Sequence, residues 1–453
     1  MRVRSREAWR GMCAGTLGLA LSLVTGCAQS GTGGSSGTVT YWLWDANQLP
    51  AYQACAEGFE KQHPGLRVKI SQMGWNDYWT KLTAGFIAGT QPDVFTDHIQ
   101  KFGQLADLDV LEPLDDLGLD DSAYQNGLAA NWMGEDGHRY GAPKDWDTVA
   151  LFYDKKETRQ AGLSPKELNG LSWNPKDGGS FEKAIAHLTV DRNGRRGDQP
   201  GFDKHHVATY GLATGGAGDA DGQTTWSTFA ASAGWDYTDR RRWGTKYQYG
   251  SRTFQSTTNW YFGLAKKGYM APFSDYGDGV ANPPNVQLSS GRAAITIDGA
   301  WLLSAYAGLK GVKVGTAFTP KGPTGRRATM MNGLADSISK GAHNKEGARK
   351  WVRYLASDAC QKKVGRYGIV FPATRAGSRA AVAAYEKKGI DVTAFTEPVV
   401  DKRHFTTFSF PITNYAADVL ALMRPTMQDI YNNGAPVSDL TKTNDQINFI
   451  LGQ

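Results

Sequence analysis

Aromatic rings and acids recur side by side in this chain. Trp44–Asp45, Gly74–Trp75 and Asp97–His98 each close a β-rich run. Trp146–Asp147 lies in YGAPKDWDTVALFYDKK (140–156), ahead of an apolar strand. GRAAITIDGAWLL turns at Asp298–Gly299 before reaching Trp301. Indole rings offer flat apolar planes, and carboxyls offer acceptors for hydroxyl groups. Together they suit a molecule with C–H faces and a rim of hydroxyls. Two carboxyls ~5–5.5 Å or ~6.5–9.5 Å apart would instead suit hydrolysis of such a molecule, and Asp147 with Asp298 is the pair available. His205–His206 is adjacent and has no spaced third ligand, so it reads as a loop rather than a metal site. No metal and no cofactor is expected.

Most of the 14 tryptophans must serve packing. Trp79, Trp173, Trp260 and Trp351 are assigned to the core, and Trp75, Trp132 and Trp235 fit either role.

The elements that position these groups alternate. VTYWLW is β-rich, and PAYQACAEGFEKQHPG places Tyr52, Cys55, Ala56 and Phe59 on one helical face between prolines. LRVKIS, DYWTKLTAGFIAG and QPDVFTD continue as strand, helix and strand. This order predicts an α/β fold with a largely parallel sheet, whose ligands sit beyond the carboxyl ends of the strands. SFEKAIAHL, FQSTTNWYFGLAKKGY and NKEGARKWVRYLASDACQKKVGRYG read as helical, as does most of the chain from about residue 411.

The N-terminus is of a different kind. MRVRSREAWR is basic, GMCAGTLGLALSLVTG is uncharged, and AQSGTGGSSG (28–37) has no apolar side chain larger than alanine. A basic start before a short apolar stretch predicts an export signal over 1–26. VTGC resembles the bacterial lipobox, so Cys27 is the expected lipidated N-terminus and 27–37 a flexible tether spanning ~15–20 Å. Without residues 1–26 the chain keeps 46 basic against 43 acidic residues. That balance excludes nucleic acid as a partner. DRRRW (239–243) and GRR (325–327) read as exposed loop charge. About 415 ordered residues predict two domains. Of the four cysteines, Cys13 leaves with the signal and Cys27 carries lipid. Cys55 and Cys360 are then either one disulfide or two buried thiols.

FEKQHPGLRVKI, KLTAGFIAGTQPDVFTDH, YGAPKDWDTVALFYDKK, LSSGRAAITIDGAW and NKEGARKWVRYLASDACQKKVGRYG occur in one order over residues 38–453. In that order they resemble the extracellular solute-binding proteins of ATP-binding-cassette importers, in the carbohydrate-binding group that includes the maltose-type binders. The resemblance implies a two-lobed, periplasmic-binding-protein-like fold of class II, with parallel-rich sheets flanked by helices and a ligand cleft between the lobes. One lobe would be 38–145 plus 320–368, the other 146–319 plus 369–453. Crossings are expected near Pro143–Thr148 and Phe318–Gly322. Cys55 and Cys360 then fall in one lobe, which favours their disulfide. The ligand-binding residues it implies are Trp44, Asp45 and Asp97 in the first lobe, and Asp147 with Trp146 at the crossing. Gln223, Trp226 and Trp301 follow in the second lobe, with Asn332 closing the back of the cleft. A carbohydrate ligand, membrane permease subunits and, as in Gram-positive bacteria, a lipid anchor are the expected partners of a monomeric binder. A secreted lipoprotein glycosidase and the same fold binding a polyamine or other small polar solute are the alternatives.

Overall fold

The computed structural model describes residues 37–215, 220–272 and 282–452. Cys27, the signal segment and nearly all of the tether lie outside them. Among the described residues no helix is long and apolar enough to cross a membrane.

The N-terminal alternation forms as its patterning predicts. Strands β1 (Gly37–Leu43), β2 (Leu66–Gln72) and β3 (Val94–His98) are joined by helices α1 (Leu49–Gln62) and α2 (Trp75–Ala88). Helix α3 (Ile99–Asp107) follows β3 directly. β1 lies between β2 and β3 and is parallel to both. Val39, Tyr41 and Leu43 point into the core and alternate with more open neighbours, the two-residue period of a strand. α1 carries a proline in its first turn and buries Tyr52, Cys55, Ala56 and Phe59. α2 stops at Gly89, whose φ of 70° is the left-handed conformation glycine adopts without strain.

Two long strands organise the rest. β4 (Gly141–Asp154) and β9 (Arg327–Ile338) are antiparallel neighbours that each run from one part of the sheet into another. β4 pairs with β9 as far as Thr148. From Val149 onward it pairs with β7 (Ala293–Gly299), and from Leu151 also with β8 (Val314–Ala317). β9 pairs first with the strand Phe405–Phe408 through Met330, then with β3 from Leu334. With β5 (Val190–Asp191) and β6 (Val207–Leu212), the strand order is β2-β1-β3-β9-β4-β7-β6-β5.

β9 thus changes partners after Met330, and the stretch near Phe318–Gly322, where the second crossing is expected, leads into it. That stretch folds back on the start of β9. Thr319 Oγ1 donates to the Ala328 carbonyl at 2.8 Å, and Gly322 N–H donates to the Arg326 carbonyl at 2.9 Å. The apolar run MMNGLA hides the strand because it has no period-two alternation.

Cys55 on α1 and Cys360 on the helix Asp358–Tyr367 form a disulfide across 305 residues of sequence, with Cα atoms 5.3 Å apart. It lies in a core with Tyr41, Tyr52, Phe59 and Trp351. Trp173 and Trp260 stack at 4.8 Å in the core of the other half, beside Phe229. Trp132, which meets Phe102 at 5.2 Å, and Trp235 fitted either role and are both buried.

Candidate ligand-binding cleft

The strand registers put the candidate groups in a row. His98 at the end of β3 lies opposite Leu334 on β9, and Leu334 lies opposite Asp145 on β4. One pleat further, beyond the carboxyl end of β3, Asn332 lies opposite Asp147. Directly opposed residues share a face, so the Asn332 amide and the Asp147 carboxyl project to one side. Trp44 and Asp45 follow the end of the parallel strand β1 at the same level. β7 ends at Gly299, opposite Val149, so Trp301 leaves the sheet beside the part of β4 that holds Asp147. The Trp301 ring folds over Gly299, where a Cβ would lie 1.8 Å from it. Glycine is required there by space alone.

The polar atoms of this row are unmatched. Asp147 Oδ1 and both Asn332 Oδ1 and Nδ2 are buried without a hydrogen-bond partner. Asp145 Oδ2, two residues along, is also bare. A buried polar atom without a partner costs about 1–3 kcal/mol, so native proteins keep few of them. Burial, and then the neighbouring Asp145 charge, push the Asp147 carboxyl well above its ordinary range. The structure thus leaves an acceptor and an amide pointing at the same space with nothing in the chain to satisfy them.

A wall of rings stands at the β1 and β3 ends. Trp44 is half-buried and meets Trp75 edge-on at 5.0 Å, Tyr78 at 5.1 Å, and Trp79 at 5.6 Å. His98 joins it, 6.2 Å from Trp44 and 5.3 Å from Trp75. Trp75 keeps 41% of its surface exposed, and the buried Nε1 of Trp79 has no acceptor. Burial pulls the His98 imidazole down to about 3, so it is neutral. Phe410, from the C-terminal part of the chain, approaches His98 at 6.1 Å.

Three expected ligand residues belong to the core instead. Trp146 is on the opposite face of β4 from Asp147; it stacks on Phe371 at 4.8 Å, and its Nε1 donates to Ser378 Oγ at 2.8 Å. Trp226 has no exposed surface and packs edge-on against Phe254 at 4.9 Å. Asp97 is fully buried, with Oδ1 accepting the His98 N–H at 2.7 Å and Oδ2 accepting Ser337 Oγ at 3.3 Å. Gln223 is half-buried, its N–H donating to Asp221 Oδ1 at 3.2 Å. Asp45 accepts the Asn47 N–H at 2.9 Å, which starts the turn into α1. Trp79, assigned to the core, packs against it from α2 while remaining half-buried.

Asp298 makes no pair with Asp147. It accepts Tyr306 Oη at 2.7 Å and the Gly299 N–H at 2.8 Å, and so locks the turn. Among the described residues no group of three or more His, Cys, Asp or Glu side chains could hold a metal ion.

Known proteins share this architecture. A family model described as bacterial extracellular solute-binding protein matches residues 54–390. A lactose-binding protein from Rhizobium radiobacter is 29% identical over 149 residues, 31% of this chain and 35% of that protein. A maltooligosaccharide ABC transporter solute-binding lipoprotein from Streptococcus pneumoniae is 24% identical over 77% of this chain and 76% of its own length. The match thus spans about a third of the first relative and about three quarters of the second. Among solved structures, an ABC substrate-binding protein from Listeria monocytogenes in complex with cycloalternan superposes with a TM-score of 0.75 at 19% identity, over 92% of this chain and 100% of that one. The fold is accordingly the two-lobed α/β fold of such binders. These relatives are named for binding a sugar or substrate. This chain belongs to the family of bacterial extracellular solute-binding proteins.

Proposed function

We propose that the chain captures a mono- or oligosaccharide by hinge closure and delivers it to the membrane permease of an ABC importer, while lipid on Cys27 keeps it at the outer face of the cell membrane. The lobes are residues 38–145 with 320–368, and 146–319 with 369–453. The observation that carries this reading is the unmatched pair Asp147–Asn332 on the paired strands β4 and β9. Sugar hydroxyls supply both the donors that Asp147 lacks and the donor–acceptor pairs that an amide takes, and ring faces cover the C–H patches. The relatives named for lactose and for maltooligosaccharides support a neutral sugar. Closure follows from the arrangement: a ligand held by one wall gains the second set of contacts only in the closed form, which shifts the balance toward it.

A thermal-shift screen against a sugar panel tests the reading. At least one sugar is expected to raise the melting temperature of the parent, and Trp301→Ala is expected to remove that shift while melting stays cooperative. A mutant that responds like the parent would move the binding site elsewhere, and labelled oligosaccharides that are turned over would point to the glycosidase instead.

A further inference from the structure

We propose that one face of α3 is a latch that holds the cleft closed by itself, and that Gln100, Gly103 and Asp107 are positioning residues that set the affinity for every ligand without touching any. The inference rests on the two-lobe closure proposed above.

Residues 100, 103 and 107 follow the i, i+3, i+7 spacing of one helical face. Each meets a segment assigned to the second lobe. Gln100 Nε2 donates to Asp221 Oδ2 at 3.0 Å. Asn414 Nδ2 donates to Asp107 Oδ1 at 3.1 Å. Between these two bonds Gly103 lies against the backbone of Thr413, and a Cβ on it would be 2.4 Å from the Thr413 carbonyl oxygen. Gly103 has an ordinary helical backbone, so its lack of a side chain serves this close approach and nothing else. The receiving side is braced. Asp221 accepts the Gln223 N–H through its other oxygen at 3.2 Å, and its carbonyl accepts Tyr237 Oη. Arg242 Nη1 extends the contact, donating to the Ala130 carbonyl at 2.7 Å.

None of these bonds involves Asp147, Asn332 or the rings of the cleft. They stabilise the closed arrangement whether or not a guest is present, so they fix the closed fraction of the empty protein. The apparent dissociation constant is the intrinsic one divided by that fraction. A latch therefore scales all affinities by one factor, whereas a ligand contact changes them sugar by sugar.

Small-angle scattering of the ligand-free protein, paired with calorimetric titration of two or more sugars that bind the parent, separates the possibilities. Gly103→Ala drives a methyl into Thr413 and is expected to enlarge the radius of gyration of the empty protein and to weaken every sugar by one common factor of about tenfold. Gln100→Ala, a milder change at a half-buried position, should act in the same direction by about two- to fivefold. Scattering unchanged in both variants would overturn the latch, and so would losses that differ from one sugar to the next. If the parent binds no sugar, the proposed ligand class fails, and the scattering comparison alone still decides the latch.

Discussion

Asp147 and Asp298 are carboxyls on neighbouring strands, each with a tryptophan within three residues of sequence, and they have opposite fates. Asp298 has a partner for each oxygen, Tyr306 Oη at 2.7 Å and the Gly299 N–H at 2.8 Å. Burial is the main reason its carboxyl rises, to about 6, and those bonds hold it from going further. Asp147 keeps a buried oxygen without a partner and faces an asparagine amide equally bare. The same side chain in nearly the same place closes a turn in one case and waits for a guest in the other. What separates them is satisfaction, which depends on neighbours brought together by the fold.

The sharpest way to break this comparison is with the tryptophans. Trp226→Ala empties a sealed core site and should cost about 3–5 kcal/mol of stability, read by denaturant melts. Trp301→Ala should cost far less stability and remove sugar binding. If the two mutants exchange these phenotypes, the division into core and cleft is wrong.

The next contrast is between the acids. Asp298→Ala strands the buried Tyr306 hydroxyl and is expected to lose about 1–3 kcal/mol while the order of sugar preferences stays the same. Asp147→Ala combined with Asn332→Ala removes a carboxyl oxygen and an amide that have no partner to strand. Its melting point should stay near that of the parent while calorimetry shows no sugar heat.

A further contrast concerns pH. Burial raises the Asp97 carboxyl to about 8, above its unfolded value of about 3.9. The folded state therefore favours the protonated acid. This contribution is complete below about pH 4 and is lost as pH rises toward 8. Asp97→Asn should flatten the fall in melting temperature across that window. An unchanged slope would assign the pH dependence to other groups.

Periodicity carried the fold where it was clean. The alternation of VTYWLW and LRVKIS and the helical spacing of Tyr52, Cys55 and Phe59 gave β1, β2 and α1 directly, whereas β9 is buried along most of its length and shows no period at all. Residue type carried the site only in part. Tryptophan suits a core and a sugar face equally, so Trp146 and Trp226 could not be sorted by type, and one pleat of β4 decides between Trp146 and Asp147. Gln100 and Asp221 entered only through contacts between distant segments, which no local pattern encodes.

The most direct test of the central claim is a crystal structure with whichever sugar gives the largest thermal shift. Sugar hydroxyls are expected within hydrogen-bond distance of Asp147 Oδ1 and of the Asn332 amide, with a ring face against Trp301 or the Trp44–Trp79 wall. A sugar bound elsewhere, with those three atoms still unpartnered, would contradict it.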